Sequence, residues 1–256
     1  MSRFLRYTLT AALTLFAASA LAEPAAKPEQ EQEKEQTPAA RQAPEQFKNI
    51  YKARVYGIGI TVTHELTPTD NGHKLRFFAD SFVASIEETS LFDWPTPGQL
   101  RPLQYTYERT GLGRDRTAKL DFDWQAKRVT NNVQDKPWKM KIHEGIQDKL
   151  SFQVQLQRDL AAGKTEDLYY QIADGGRIKE YRFAKVGEET LETPLGKVDT
   201  VKIERTRKDD DRVTYAWMAP EYGYLLVRMQ QEEGGDVYTI YIHESEIDGE
   251  TISRFE

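Results

Sequence analysis

The sequence predicts a mainly β protein, an antiparallel sheet with one main packed helix, and three observations carry that expectation. From Phe47 onward apolar and polar residues alternate, the period that lays one face of a strand on a core. Turn residues punctuate the alternating runs, among them Asp70-Asn71-Gly72, Asp174-Gly175-Gly176, Pro194-Leu195-Gly196, Asp209-Asp210-Asp211 and Gly234-Gly235-Asp236. Short sequential connections of this kind favour antiparallel neighbours. One stretch, Ile146–Leu160, switches to helical spacing. No repeat of strand, helix and strand occurs, which excludes a doubly wound sheet and a TIM barrel.

The first 22 residues, MSRFLRYTLTAALTLFAASALA, read as a secretory signal peptide. Arg3 and Arg6 form its basic region, an apolar run follows from Leu9 to Ala18, and Ala20-Leu21-Ala22 has the small-x-small pattern of a cleavage site. The apolar run is shorter than the roughly 20 residues that span a bilayer. Cleavage after Ala22 takes 22 from 256 residues and leaves 234. The expected location is the periplasm. With no cysteine anywhere, the mature chain cannot be a lipidated lipoprotein, and its core must hold the fold without disulfides.

Residues 23–46, EPAAKPEQEQEKEQTPAARQAPEQ, contain four prolines, no aromatic residue and Thr37 as the lone β-branched side chain. Such a segment buries too little apolar surface to offset its ordering entropy and reads as a disordered acidic tether. A single β-rich domain is expected over 47–256. Strands are expected near Tyr51–Leu66, His73–Glu87, Leu103–Gly111, Thr117–Trp124 and Lys127–Val133. More are expected near Leu168–Ala173, Lys179–Val186, Lys197–Thr206, Val213–Met218, Tyr224–Gln231 and Val237–Glu244. The mixed-sign run Arg205–Arg212 fits an exposed hairpin tip. In the helical stretch the apolar residues Ile146, Leu150, Phe152, Val154, Leu156 and Leu160 cover an arc of about 200°, wider than the stripe a surface helix buries. That width suits a helix packed on the sheet or a lid over an apolar cavity.

Charge and composition remove several function classes. The formal charge of −6 becomes −8 without Arg3 and Arg6, and no basic stripe is present, so nucleic acid is not an expected partner. The absence of cysteine excludes thiolate catalysis and Cys-based metal sites. No GxSxG, SxxK or glycine-rich phosphate loop occurs. The four histidines, His64, His73, His143 and His243, lack a compact ligand spacing and read as satisfied or solvated, so neither a metal nor a cofactor is expected. In LDFDW, Leu120, Phe122 and Trp124 share one strand face and Asp121 and Asp123 the other. The two carboxylates stand roughly 6.5–7 Å apart by strand rise, near the spacing of a glycosidase pair. Acids on a wet strand face are commonplace, and no catalytic residue is assigned.

Several segments together carry a family resemblance: LRPLQYTYERTG, LDFDWQAKRV, DKLSFQVQL, YYQIADGGRIKEYRFAKVG, ETPLGKVDTVKI and YAWMAPEYGYLLVRM. From about Lys52 to His243 the chain resembles exported proteobacterial proteins grouped as a domain of unknown function, DUF3108. The resemblance implies a curved antiparallel β architecture of lipocalin-like or lipoprotein-carrier-like character and supplies no catalytic residues. The expected fold is then a strongly curved sheet forming a half-open barrel with one main packed helix. A sheet wrapped on a cavity also accounts for Phe77 and Phe78 pointing to opposite faces. The expected function is non-enzymatic binding of an apolar or lipid-like envelope component, with Phe78, Phe82 and Trp124 from the strands and Leu150 and Val154 from the helix as ligand contacts. The alternatives are a protein-interaction factor in envelope assembly or secretion, whose partner is an envelope protein, and a glycan or cell-wall hydrolase using Asp121 and Asp123.

Overall fold

A computed structural model describes residues 41–111, 113–206 and 212–255. The signal peptide, most of the expected tether and the charged tip at 207–211 lie outside the described residues. The first half of the domain is a meander of eight strands: β1 (Phe47–Val55), β2 (Ile58–Thr69), β3 (Gly72–Asp80), β4 (Ala84–Thr96), β5 (Gln99–Gly111), β6 (Arg116–Asp123), β7 (Arg128–Val133) and β8 (Lys136–Lys141). The helix α1 (Ser151–Ala161) follows. The second half is another meander: β9 (Leu168–Asp174), β10 (Arg177–Thr193), β11 (Gly196–Thr206), β12 (Val213–Ala219), β13 (Leu225–Glu233) and β14 (Asp236–Ile247), with the short β15 (Glu250–Ile252) beside β14. All the strand ladders are antiparallel, and β1 joins the two meanders by pairing β2 on one side and β14 on the other.

The fold is mainly β, one antiparallel sheet that curls into a half-open barrel. Its terminal strands in the pairing order are β8 and β9. Yet Ala173 of β9 shares a core with Leu120 and Val129 of β6 and β7, and Ile178 of β10 and Met140 of β8 pack against it. Elements from opposite ends of the order therefore meet. Register shifts at Ile50/Tyr51, Leu91/Phe92, Lys185/Gly187 and Trp217/Met218 supply local bends of the kind that let a sheet close on itself. Among the described residues no ladder joins β8 to β9. Instead the lead-in to α1 takes the free edge of β9: Gln147 N donates to Gln171 O and Ala173 N to Gln147 O, both at 2.8 Å.

The sequence resolves eleven strands and the structure, among its described residues, fifteen, and the differences have local causes. The run Tyr51–Leu66 divides because Tyr56 and Gly57 both take positive φ, the conformation of a two-residue hairpin turn. Tyr is a poor signal for such a turn, and its hydroxyl is held by Asp236 Oδ2 at 3.0 Å and Tyr238 Oη at 2.6 Å. The run His73–Glu87 divides at Ser81, whose Oγ accepts from Ala84 N at 3.2 Å. β8, KPWKMK, looks unlike a strand because a proline and three lysines interrupt it, which is how an edge strand is built. The helix begins at Ser151 rather than Ile146, since Gln147 is committed to the edge of β9.

α1 is fixed at both ends by its sequence. Asp148 Oδ1 accepts from Leu150 N and Ser151 N, each at 2.8 Å, and Ser151 Oγ accepts from Asp148 N at 2.9 Å, a reciprocal capping box one turn ahead of the first helical hydrogen bonds. At the other end Gly163 N donates to Leu160 O and Lys164 N to Asp159 O, both at 2.9 Å, the paired bonds of a Schellman motif. None of its eleven residues is exposed. The expected tether also ends on the domain: Pro44 is buried, Arg41 N donates to Pro220 O at 3.1 Å, and Glu45 meets Arg158 at 2.8 Å.

The two sheet ends also touch at Gly176, in the β9–β10 turn. A Cβ there would stand 1.8 Å from the ring of Trp138 on β8. Gly175 beside it also has positive φ but open space around it. Gly175→Ala and Gly176→Ala should each cost about 1–2 kcal/mol for the left-handed backbone. Gly176→Ala should cost more than its neighbour, and Trp138→Ala should remove that difference by making room for the added methyl, both read from urea melts. Equal costs for the two glycines, or a difference that survives Trp138→Ala, would refute the seam contact.

Candidate functional site

The inner face of the curl is built by alternation. On β1, Phe47, Asn49 and Tyr51 point inward, and on β2 Val62 and His64 do the same. Phe77 continues this row on β3, while Ala216, Met218, Met229 and Ile240 line the wall from β12, β13 and β14. Against this wall α1 lays Leu150, Val154 and Leu156. The two surfaces do not fill the space between them and leave a cavity of about 270 Å³ with a predominantly apolar lining. A second, wider hollow near Thr190, Lys197, Glu221 and Arg254 has a charged, mixed wall and lies by the tip of the β10–β11 hairpin.

The polar side of α1 holds it over the cavity. Gln155 donates to Gly98 O at 2.9 Å and accepts from Leu100 N at 2.8 Å, across the β4–β5 turn. Gln157 donates to Gly223 O at 2.8 Å. Asp159 accepts from Tyr170 Oη and Lys164 Nζ, both at 2.7 Å. Three polar residues that would face water on an ordinary amphipathic helix are thus buried and paired with three different parts of the sheet.

Of the five ligand contacts expected from the sequence, the structure brings two together at the cavity. Leu150 and Val154 are both 2% exposed and line it. Phe78 lies on the outer face under the guanidinium of Arg76, 4.7 Å from its ring centre, and its neighbour Phe77 takes the inner position. Phe82 is 84% exposed at the β3–β4 turn. Trp124 is stacked on Phe122, donates to Pro102 O at 2.7 Å, and packs on the core shared with Leu150 and Val154 without lining the cavity. Asp121 is engaged on the outer face with Gln104 and Lys119, and Asp123 closes a turn by accepting from Ala126 N at 2.8 Å.

His64 departs from the expectation of a satisfied or solvated histidine. It is buried in the cavity wall, its ring 5.1 Å from that of Phe47 and 6.5 Å from that of Phe77, and its Nε2 has no hydrogen-bond partner. The signal was present in Val62-x-His64-x-Leu66, where the alternation places the imidazole on an apolar face. The other three are partnered: His73 with Trp94 and Glu45, His143 with the Glu144 carbonyl, His243 with Lys52. Among the described residues no group of three or more His, Asp or Glu side chains is placed to hold a metal ion. Nor is any described helix long and apolar enough to cross a membrane.

Comparison with known proteins fits this geometry. The family model described as "Protein of unknown function (DUF3108)" matches residues 69–242, from the end of β2 into β14. The chain belongs to the DUF3108 family. No curated protein matches it. Among solved structures it is similar to a β-barrel-like protein of the domain of unknown function DUF1849 from Brucella abortus, at 12% identity and a TM-score of 0.52, covering 82% of this chain and 99% of that one. At that identity the likeness concerns the fold. The DUF3108 match contains the helix and most of the apolar wall, and it begins after Asn49 and His64.

Two buried ionisable groups have strongly displaced titrations, Asp148 ahead of α1 and His64 in the cavity wall. Burial pushes the Asp148 carboxyl up to about 6, although hydrogen bonds from Ser90 Oγ and the Leu150 and Ser151 amides pull it down. Burial pushes the His64 imidazole down to about 4. For Asp148 the folded pKa lies above the unfolded one, so the folded state binds more protons and stability falls as pH rises from about 4 to about 6. For His64 the folded pKa lies below the unfolded 6.5, so stability is present above pH 6.5 and is lost as pH falls towards about 4. The two slopes oppose each other. Relative to the wild type, Asp148→Asn should gain roughly 2–3 kcal/mol as pH rises through this window and His64→Gln should lose a similar amount. Urea melts between pH 4 and 7 check both, and parallel curves for either variant would contradict the assignment of that group.

Proposed function

We propose that this protein is a non-enzymatic binding protein for an apolar or lipid-like component of the cell envelope, exported to the periplasm by its signal peptide. The observation that carries the reading is the cavity of about 270 Å³ between α1 and the inner face of the sheet. Well-packed interiors leave few voids larger than a water molecule. A void of this size with an apolar wall retains an apolar guest by the hydrophobic effect, at about 25 cal/mol per Å² of surface removed from water. Barrels and barrel-like sheets commonly hold small apolar ligands in this way. A protein-interaction factor needs no such void, so the cavity favours the binding reading over that alternative.

The mechanism is sequestration in a cavity that is partly open to solvent. The bonds of Gln155, Gln157 and Asp159, each worth about 1 kcal/mol net and more where the carboxylate is involved, hold α1 in place as one fixed wall. A cavity of this kind suits a carrier that keeps the apolar part of its cargo from water and releases it through the open side on encounter with a partner.

Mature protein purified from periplasm should carry a stoichiometric adduct in native mass spectrometry that denaturation and organic extraction release. In the stripped protein, naphthalene, about the size this volume holds, should bind and have its fluorescence shielded from iodide quenching. Ala216→Phe, which projects a ring into the cavity, should weaken that binding at least about tenfold. It should also spare stability, where the same change in a filled core costs about 1–3 kcal/mol. A clean apo mass together with Ala216→Phe behaving as an overpacked core would defeat the proposal.

A further inference from the structure

The wall of the cavity is mostly apolar, and a row of residues across its strands narrows what the guest can be. Cross-strand register on the inner face runs Ser245, Asn49, His64, Phe77, Glu88 and Tyr107 from β14 to β5. Ser245 Oγ donates to Asn49 Oδ1 at 2.8 Å. Glu88 accepts from Tyr105 Oη and pairs with Lys149 at 3.6 Å. On the far wall the Arg205 guanidinium donates to Thr214 Oγ1 at 2.9 Å and lies over the Tyr181 ring. Between these engaged groups stands His64, 8% exposed, with Nε2 lacking a partner. An unpaired buried polar atom costs about 1–3 kcal/mol, a cost that a ligand supplying the missing hydrogen bond removes.

Three further features set the chemistry of that ligand. First, the imidazole is packed between two phenyl rings and is neutral at physiological pH, so it offers one hydrogen bond and no charge. Second, the charged residues of the wall are already engaged, Glu88 with Lys149 and Tyr105 and Arg205 with Thr214 and the Tyr181 ring, so a charged head group meets no counter-charge held in reserve for it. Third, size: an apolar void of about 150 Å³ holds benzene, so 270 Å³ holds about ten carbon atoms. That is one short chain and too small for a two-chain phospholipid.

Resting on the binding reading above, we propose that the cavity takes a single-chain amphiphile of about ten carbons whose one uncharged polar group, a hydroxyl or a carbonyl, hydrogen-bonds His64 Nε2. The chain lies against Val154, Leu156 and Met229, and the polar group points at the β1–β2–β3 wall. Charged head groups are left outside the space or refused.

Displacement of naphthalene, a ten-carbon probe that fits the cavity, from the stripped mature protein by 1-decanol, n-decane and decanoate at pH 8 tests this. In the wild type, decanol should displace the probe about five- to tenfold more effectively than decane, the worth of one neutral hydrogen bond, and decanoate should be the weakest of the three. His64→Phe should erase the preference for decanol over decane while still binding the probe, and His64→Gln, which keeps a hydrogen-bonding group there, should restore part of it. Equal displacement by decanol and decane in the wild type overturns the inference and leaves the binding reading standing, because the imidazole is then satisfied without the ligand. Decanoate as the strongest competitor overturns it too and moves the head group to Lys149 or Arg205. Failure of the wild type to bind the probe at all overturns the binding reading, and the inference with it.

Discussion

A helix with no exposed residue imposes a condition on everything around it: its buried polar side chains need partners inside the protein. Gln155, Gln157 and Asp159 find theirs at the β4–β5 turn, at Gly223 and on Tyr170. Those three positions are far apart in the pairing order of the sheet, so the sheet must curl for one helix to reach all of them. The same condition explains why the barrel stays open. The chain needs a route from β8 into the interior, and the lead-in that provides it occupies the edge of β9 that a closing ladder would require. An edge left bare would be a template for wrong pairing, and Gln147 covers part of it.

The helix start concentrates the electrostatics of the fold. Asp148 is fully buried, yet it caps the helix and receives Ser90 Oγ at 2.6 Å from β4. Next to it Lys149 spans Glu88 and the rings of Tyr105 and Tyr107. Burying carboxylates is expensive unless they are hydrogen-bonded, and both Asp148 and Glu88 are. The Tyr105 hydroxyl, buried against Glu88, has its pKa driven upward, so it remains a donor at any relevant pH. The cluster thus fixes the helix N-terminus to β4 and β5, and the far end is fixed by Asp159 and Glu45. What lies between, Gln153, Val154 and Leu156 with Leu150 just ahead of the helix, faces the cavity.

The fold was legible in the sequence to the extent that its signals are local. Alternation and turn residues gave the strands, and the capping residues with an apolar arc too wide for a surface helix pointed to a buried one. Four strand boundaries were hidden for reasons of chemistry: a turn carrying Tyr56 in place of a usual turn residue, a turn closed by a serine hydroxyl, an edge strand rich in lysine, and a three-residue final strand. The site was half legible. Leu150 and Val154 follow from the helix pattern, whereas the choice between Phe77 and Phe78 turns on strand parity, which needs the pairing of His64 with Phe77 to settle. Phe82 reads as an apolar strand residue until the hairpin at Ser81 is known. The unpaired Nε2 of His64 belongs to tertiary structure alone, since no local pattern distinguishes a buried histidine with a partner from one without.

The apolar wall and the unpartnered His64 Nε2 come from different parts of the chain, and that division has a physical consequence. The wall is distributed over α1 and five or more strands, so no single side chain decides whether an apolar body fits; removing one methyl-bearing group enlarges the cavity and little else. The hydrogen bond depends on one imidazole held by Phe47 and Phe77. Capacity is thus a collective property that tolerates substitution among Leu, Val and Met, as packed cores do when volume is kept. Selectivity rests on a few residues of β1 to β3, where a change of one atom leaves a buried group unpaired. A cavity so divided retains many apolar molecules weakly and a few with the right polar group more firmly, because an unmet hydrogen bond in a dry wall discriminates more sharply than an extra methylene does.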